Sequence, residues 1–430
     1  MVKLRFLGAC REVGRSGILI ESEETGDKIL LDYGIKSDHT TLFPEHVSGR
    51  DLSGIVLTHS HIDHCGGIPL FYISGSVPLF CTELTFRVSE ILLYDMLRIS
   101  QQYLPFGKRE IRKMNQYAKF LPYKTRKKVG KNSWITLYNA GHIPGSAIVL
   151  VEIDNKKILY TGDFNLTQTR LVESADMSSF PPIDALIIES TYGTTSHPPR
   201  EETENEFVKT VESIVEDGGI ILIPAFGVAR SQEILMILNK DRAPSYPITI
   251  DGMARSIIEQ YSRFPTMFRN FEEMISAFDN ARIVNQNRRK VERANAANNS
   301  GVIVAPSGML KGGTARYYAS NIYNDPKNAI ILVSYQVENT PGRILLDTKK
   351  YQLDENDIPH EIAAQTYHFD FSSHSGKDEL LEFIKGIKFT QEREVFCVHG
   401  DEETMIEFAK DIEKQGNNVY IPYLDQKYEL

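Results

Sequence analysis

The sequence predicts an α/β protein in which one domain is interrupted by another. Three observations carry that expectation. Over about the first 190 residues, short β-rich runs alternate with turns, and several runs end on a His, Asp or Glu. From about residue 195, strands alternate with helices, the texture of a doubly wound parallel sheet. From about residue 350, a further set of strands and helices reads as the first domain resumed.

Taken in order, a strand opens the chain at residues 1–7, and further strands follow at 29–32, 54–59, 147–153, 157–162 and 185–189. Apolar residues at helical spacing predict helices over 82–102 and 109–120. The middle region begins with an acidic helix at 201–216. It continues as strand 219–224, helix 230–238, strand 248–250 and helix 254–264. A basic linker then leads to strand 301–305, helix 313–324 and strand 329–334. The final region reads as strand 360–369, helix 377–384, strand 394–398, helix 403–415 and a last apolar strand at 418–423. That last strand either finishes the fold or pairs across a dimer.

Composition excludes several classes. At 41% hydrophobic and 24% charged, the chain is an ordinary globular one. It has no apolar run near the roughly 20 residues that a spanning helix needs. The N-terminus reads as a strand rather than a secretory signal, so a cytoplasmic protein without membrane association is expected. Cys10, Cys65, Cys81 and Cys397 lie far apart with no Cys-x-x-Cys spacing, which predicts reduced thiols and no thiolate metal site.

A net charge of −9 argues against a generally basic nucleic-acid coat. Two stretches run against it. Residues 108–131 hold ten Lys or Arg against the single acid Glu110, with aromatic residues in and just before them. Residues 282–293 include Arg288-Arg289-Lys290. Such runs are candidates either for solvated faces or for phosphate contact.

The chemistry is concentrated after the strand at 54–58. There His59-Ser60-His61-Ile62-Asp63-His64 offers four ligand groups in six residues. Imidazoles and a carboxylate diverging from one loop suit zinc, whose catalytic sites keep a position open for water.

This His-x-His-x-Asp-His motif resembles the signature of the metallo-β-lactamase superfamily. Asp32 at the end of Ile29-Leu30-Leu31-Asp32 resembles the family's first motif. His142 in Gly141-His142-Ile143-Pro144-Gly145 and Asp163 in Thr161-Gly162-Asp163-Phe164 resemble later ones. The resemblance implies two Zn2+ per chain. His59, His61 and His142 would hold one ion and Asp63 and His64 the other, with Asp163 bridging them. Asp32 would orient a ligand and the nucleophile.

Three further segments resemble the β-CASP nucleases. These are Ile187-Ile188-Glu189-Ser190-Thr191-Tyr192-Gly193, Phe371-Ser372-Ser373-His374-Ser375-Gly376 and Val398-His399-Gly400-Asp401. The implied fold is a metallo-β-lactamase αββα sandwich with an inserted doubly wound α/β β-CASP domain. The bounds would be 1–194 and 351–430 for the metal domain and 195–350 for the insertion. His399, where DNA-repair members usually carry valine, would complete the second zinc shell and favours RNA.

Other segments, including Ser334-Tyr335-Gln336-Val337-Glu338-Asn339, resemble archaeal relatives of the cleavage and polyadenylation specificity factor nuclease subunit. Ribonuclease J is the second choice. Many archaeal relatives carry KH domains ahead of the first strand, where this sequence starts directly on that strand.

The implied function is hydrolysis of single-stranded RNA, by endonuclease or 5′→3′ exonuclease attack, through a hydroxide held by the two metals. His374, paired with Glu189, would act as general acid, and Arg230, Ser372 and Ser373 are candidates for holding phosphates. A homodimer, or a place in an RNA-processing or decay complex, fits the same resemblance. Competing readings are a catalytically weak scaffold partner, a β-CASP DNA nuclease and a small-molecule hydrolase. The filled ligand positions, His399 and the large insertion respectively argue against them.

Overall fold

The computed structural model describes residues 1–37, 40–100, 103–177, 180–241, 243–352 and 359–430. They fall into two compact units. The first comprises Met1–Gln168, Glu173–Ser196 and Ser373–Leu430; the second comprises Thr169–Val172 and His197–Ser372.

The first unit is built on two seven-stranded sheets. One runs in the order Lys427–Glu429, Val2–Phe6, Ile18–Ser22, Lys28–Leu31, Gly54–Val56, Leu79–Cys81, Ala118–Phe120. The other runs Asn418–Tyr420, Phe389–Val398, Ile183–Glu189, Lys156–Tyr160, Ala147–Ile153, Ser133–Asn139, Lys127–Lys128. The period-2 alternation of a strand decides which side chains meet. Leu4, Phe6, Ile18, Ile20, Ile29 and Leu31 from the first sheet pack against Leu137, Val149, Val151, Ile158 and Ile187 from the second.

The intervening residues face outward beneath helices. Leu19, Leu30 and Ile55 join Phe86, Leu93, Ile111 and Met114 of helices Glu83–Ile99 and Lys108–Tyr117. On the far side, Leu150, Leu186 and Ile188 join Leu380, Phe383, Phe408 and Ile412 of helices Lys377–Gly386 and Glu402–Lys414. This is the αββα sandwich.

The second unit holds a six-stranded sheet, every pairing parallel. Its order is Arg282–Ile283, Ile248–Ile250, Gly301–Ala305, Ile220–Pro224, Ala329–Leu332, Gln365–His368. The strands Ile220–Pro224 and Gly301–Ala305 are buried throughout, as parallel strands covered on both faces must be. Thr169–Val172 joins this unit because the Glu233 carboxylate accepts hydrogen bonds from the N–H groups of Arg170 and Leu171, at 3.0 and 2.9 Å.

Several boundaries differ from expectation. The helix expected over 82–102 spans Glu83–Ile99, capped by the Thr82 hydroxyl; residues 101 and 102 lie outside the described residues. The helix expected over 109–120 ends at Tyr117, and Ala118–Phe120 becomes an edge strand, because pairing with Leu79–Cys81 outcompetes another helical turn. The basic linker carries helices Phe271–Asp279 and Arg289–Ala296 flanking the short strand Arg282–Ile283. The strand expected over 360–369 is two pieces, His360–Glu361 and Gln365–His368. The second piece completes the inserted sheet, so the second unit runs to Ser372 whereas its end was expected near 350. The last strand stops at Tyr420, and Lys427–Glu429 folds back as an unexpected strand against Val2–Phe6. Among the described residues no helix is long and apolar enough to cross a membrane.

Candidate metal centre

The site lies entirely within the first unit, on loops that leave the strand ends of both sheets. Strand Gly54–Val56 delivers Thr58, His59 and His61, and the short turn Ile62–Cys65 then presents Asp63 and His64. Gly34 makes this turn feasible: a Cβ there would meet the Asp63 carbonyl oxygen at 1.7 Å. Gly162, at φ +52°, lets the Asp163 loop lie against Thr58, which a Cβ would approach to 2.9 Å. The sheet partner Ile183–Glu189 supplies Glu189, and Phe389–Val398 supplies His399 at φ +53°.

Two sets of ligand atoms converge. In the first, His59 Nε2 lies 3.1 Å from His61 Nδ1, which lies 3.2 Å from His142 Nε2. Asp163 Oδ2 faces the same point, 3.5 Å from His59 Nε2 and 3.8 Å from His142 Nε2. In the second, Asp163 Oδ1 is 3.4 Å from His64 Nε2 and 3.5 Å from His399 Nδ1, and Asp63 Oδ2 is 3.3 Å from His399 Nε2. Among the described residues, His59, His61, His142 and Asp163 form one group whose ligand atoms could hold a metal ion, Asp63, His64 and His399 a second, and Asp163, Glu189 and His399 a third.

The donor chemistry fits a divalent metal. Three imidazole nitrogens and a carboxylate oxygen meeting at 3.1–3.8 Å suit a cation among them. A tetrahedral ion with bonds of about 2.0–2.1 Å sets its ligand atoms roughly 3.3 Å apart. Asp163 Oδ1 is buried and accepts no hydrogen bond of ordinary geometry among the described residues. An uncompensated buried carboxylate oxygen is costly, and a metal would compensate it.

Electrostatics agrees for the first set; in the second, burial opposes charge but Asp163 and Asp32 raise His64, and Asp163 and Asp63 raise His399. Burial, with the neighbouring imidazoles, holds His59 and His142 well below the usual histidine range, so both are neutral ligand donors. Burial also lowers His61, to about 4. Burial opposes the charge of Asp163, but the imidazoles of His399, His64 and His374 outweigh it and keep the carboxylate ionised.

The surrounding hydrogen bonds set which nitrogen faces inward. His142 Nδ1 donates to the Ser373 carbonyl at 2.8 Å, leaving Nε2 for the centre. His64 Nδ1 is 2.8 Å from Asp32 Oδ2, leaving its Nε2 toward Asp163. Asp32 sits at φ +55° and is itself held by the Thr58 N–H and hydroxyl, both at 2.8 Å, and by the Tyr160 hydroxyl at 3.1 Å. Orienting partners of this kind raise ligand basicity and fix the ring.

On the more open side of the centre, His374 Nδ1 lies 2.7 Å from Glu189 Oε2, and its Nε2 is 4.0 Å from Asp163 Oδ2. Glu189 is buried, its Oε1 accepting from the Phe164 N–H at 2.8 Å and its Oε2 from the Thr191 hydroxyl at 2.6 Å. Burial works against a charge on His374, but Glu189 and Asp163 raise it to about 9.

The structure thus brings Asp32, His59, His61, Asp63, His64, His142, Asp163, Glu189, His374 and His399 into one cluster. Ser373 joins through its backbone carbonyl. Arg230 and Ser372 belong to the second unit: Arg230 is buried at the start of helix Arg230–Leu238, and the Ser372 N–H donates to Asp370. Tyr160 and Thr191 were missed as supporting residues, although both lie in segments already singled out. Their only local signal is a hydroxyl within three residues of an acid in the same segment.

An αββα sandwich with His and Asp ligands on its strand-end loops defines a metallo-hydrolase. Residues 11–197 match the metallo-β-lactamase superfamily, residues 231–345 the β-CASP domain, and residues 359–422 the Zn-dependent metallo-hydrolase RNA specificity domain. The chain is 37% identical to RNase aCSPSF2 of Saccharolobus solfataricus, over 99% of this chain and 85% of that one. It is 36% identical to the probable RNase MJ4 of Methanocaldococcus jannaschii over 100% of both. To transcription termination factor FttA of the same organism it is 32% identical, over 98% of this chain and 70% of that one. A crystal structure of a protein of unknown function from Enterococcus faecalis V583 shares the fold, with a TM-score of 0.61 at 12% identity over 100% of both chains. The chain belongs to the β-CASP ribonucleases of the metallo-β-lactamase superfamily and is a metal-dependent ribonuclease that acts on RNA.

Proposed function

We propose that this protein hydrolyses phosphodiester bonds of single-stranded RNA with two zinc ions per chain, in RNA processing or decay. The observation that carries the reading is the placement of Asp163, whose two buried oxygens face two separate ligand sets, Oδ2 toward His59 and His142 and Oδ1 toward His64 and His399. His59, His61 and His142 would hold one ion, Asp63, His64 and His399 the other, and Asp163 both. Bound there, zinc supplies positive charge to offset the phosphate and lowers the pKa of a water to about 7.

The remaining steps fall to the chain's own groups. Asp32 keeps His64 in one tautomer through its contact with Nδ1. Glu189 does the same for His374, whose Nε2 lies toward Asp163 at the centre and delivers a proton to the leaving 3′ oxygen. Arg230, Ser372 and Ser373 are proposed to steady the phosphates. A cytoplasmic setting suits the four free cysteines, and a homodimer is part of the reading by family likeness alone.

Elemental analysis of the purified protein should return two zinc ions per chain, and a chelator should abolish cleavage until zinc is restored. Parallel assays on single-stranded RNA and DNA test the substrate. 5′-labelled RNA bearing monophosphate, triphosphate or hydroxyl ends tests the mode. Mononucleotides from the monophosphate alone mean 5′→3′ exonuclease action, and internal fragments from every end mean endonuclease action. A metal-free protein that cleaves RNA at the same rate would overturn the reading.

A further inference from the structure

The basic stretch at 108–131 has a definite place in the first unit. After helix Lys108–Tyr117, the chain forms the edge strand Ala118–Phe120 of one sheet. It then crosses to form the edge strand Lys127–Lys128 of the other. Both sheets of the sandwich therefore end, on the same side, in strands carrying lysine. Lys119, Lys127 and Lys128 are exposed and form no ion pair among the described residues, and the exposed Lys131 ammonium donates to the Thr25 carbonyl.

One end of this edge is tied to the loop that carries His142. The Tyr123 hydroxyl donates to the Ser146 carbonyl at 2.8 Å, in the loop that carries His142. Lys124 N–H then bonds to the Leu137 carbonyl, Lys127 pairs with Ile135 and Lys128 with Trp134. The neighbouring strand Ser133–Asn139 spans roughly 20 Å at about 3.3 Å per residue. Its Asn139 end leads into the His142 loop, and its Ser133 end lies beside Lys131. Next to the Ser133 end, Trp134 is half-buried, with the Arg126 guanidinium 4.2 Å from the ring centroid and Lys128 Nζ at 5.7 Å.

Lysine on edge strands guards sheets against pairing with other chains. That role asks for a charge on each edge. It does not ask for a line of cations along a chain carrying −9 overall, with one end tied to the loop of His142. Building on the ribonuclease reading above, we propose that this edge is a track for the flank of the single-stranded RNA substrate. Lys119, Lys127, Lys128 and Lys131 meet successive phosphates beside Trp134, while Arg126 over the ring is paired with Glu152. A protein with an acidic net charge gains local affinity this way without becoming a general nucleic-acid binder.

Trp134 is the one tryptophan of the sequence, so its emission reports on this strip. The test titrates zinc-loaded protein with a cleavage-resistant single-stranded RNA, a 2′-O-methyl phosphorothioate, and follows tryptophan fluorescence at several salt concentrations. Saturable quenching is expected. The quadruple variant Lys119→Gln, Lys127→Gln, Lys128→Gln, Lys131→Gln should bind about tenfold more weakly at low salt. Its log–log salt dependence should be shallower by about 2 to 3, as the loss of up to four phosphate contacts on a single strand predicts.

The variant's melting temperature should stay at the wild-type value, because these side chains are exposed. Its KM for long RNA should rise, while kcat on an oligonucleotide too short to leave the metal centre should not change. Unquenched Trp134 together with unchanged affinity would overturn the track and leave edge protection as the only role. Failure of the wild-type protein to cleave the short oligonucleotide would instead count against the ribonuclease reading.

Discussion

Asp32 Oδ2 stands 2.8 Å from Nδ1 of His64, with both side chains completely buried. The carboxylate also accepts from Thr58 and Tyr160, which hold it in place against the His64 ring. It acts on the centre only through the imidazole.

From this follows the first prediction. Asp32→Asn should weaken metal affinity by about 10- to 100-fold, the usual cost of losing a partner that orients a ligand. Competition with a chromogenic chelator measures it. Affinity equal to wild type would remove Asp32 from this role.

A second prediction separates proton delivery from metal holding. His374→Ala should keep its metal content yet lose about 10²- to 10⁴-fold in kcat. Asp63→Ala or His61→Ala should lose metal as well as activity. Glu189→Gln should fall between, because it keeps the Phe164 hydrogen bond while giving up the charge beside His374. Wild-type turnover by His374→Ala would show that another group supplies the proton.

The third concerns pH and stability. Burial alone would raise the Asp27 carboxyl, but hydrogen bonds from the N–H groups of Lys131 and Asn132, both at 2.8 Å, and from the Ser133 hydroxyl at 2.9 Å, hold it below its ordinary value. A carboxyl depressed on folding adds stability above its unfolded pKa and loses that contribution as pH falls through the folded one. Asp27→Ala should cost about 3 kcal/mol near neutrality, on the scale of charge-assisted bonds. The gap from wild type should close as pH drops below about 4. Urea titrations across that range would expose a pH-independent gap, contrary to expectation.

The fourth lies in the second unit. Asp251 is buried, with its Oδ2 2.6 Å from Arg293 Nε and 3.0 Å from the Tyr318 hydroxyl. Asp251→Ala strands a guanidinium and a phenol together, and breaking one partner of such a pair costs about 3–5 kcal/mol. Scanning calorimetry should register a clearly lower unfolding temperature, and Asp251→Asn should recover part of the loss. This pairing also assigns one cation of the basic stretch at 282–293 to structure rather than to phosphate.

Much of the centre was legible in the sequence because its residue types are local. His59, His61, Asp63 and His64 share one loop, and the strand before them is a continuous apolar run. The inserted parallel sheet was legible for a similar reason: strands such as Ile220–Pro224 are apolar throughout. What was misread shares a cause. Ala118–Phe120 and Lys427–Glu429 are strands only because a distant edge offers hydrogen bonds, and neither carries a strong local pattern. Gln365–His368 reads as part of the tail but pairs with Ala329–Leu332, which moves the end of the insertion.

By itself the sequence determined which residue types are candidate ligands and which loops carry them, since these follow from residue identity and short-range periodicity. Only the tertiary structure decided how they meet. Asp63 and His399 are 336 residues apart in the chain and 3.3 Å apart in space. The two oxygens of Asp163 are assigned to different ligand sets by strands from both halves of the sandwich. Which nitrogen of His64 or His142 faces inward depends on a carboxylate and a carbonyl supplied from elsewhere in the chain. Hydrogen-bond direction is a property of packing, and no local pattern encodes it.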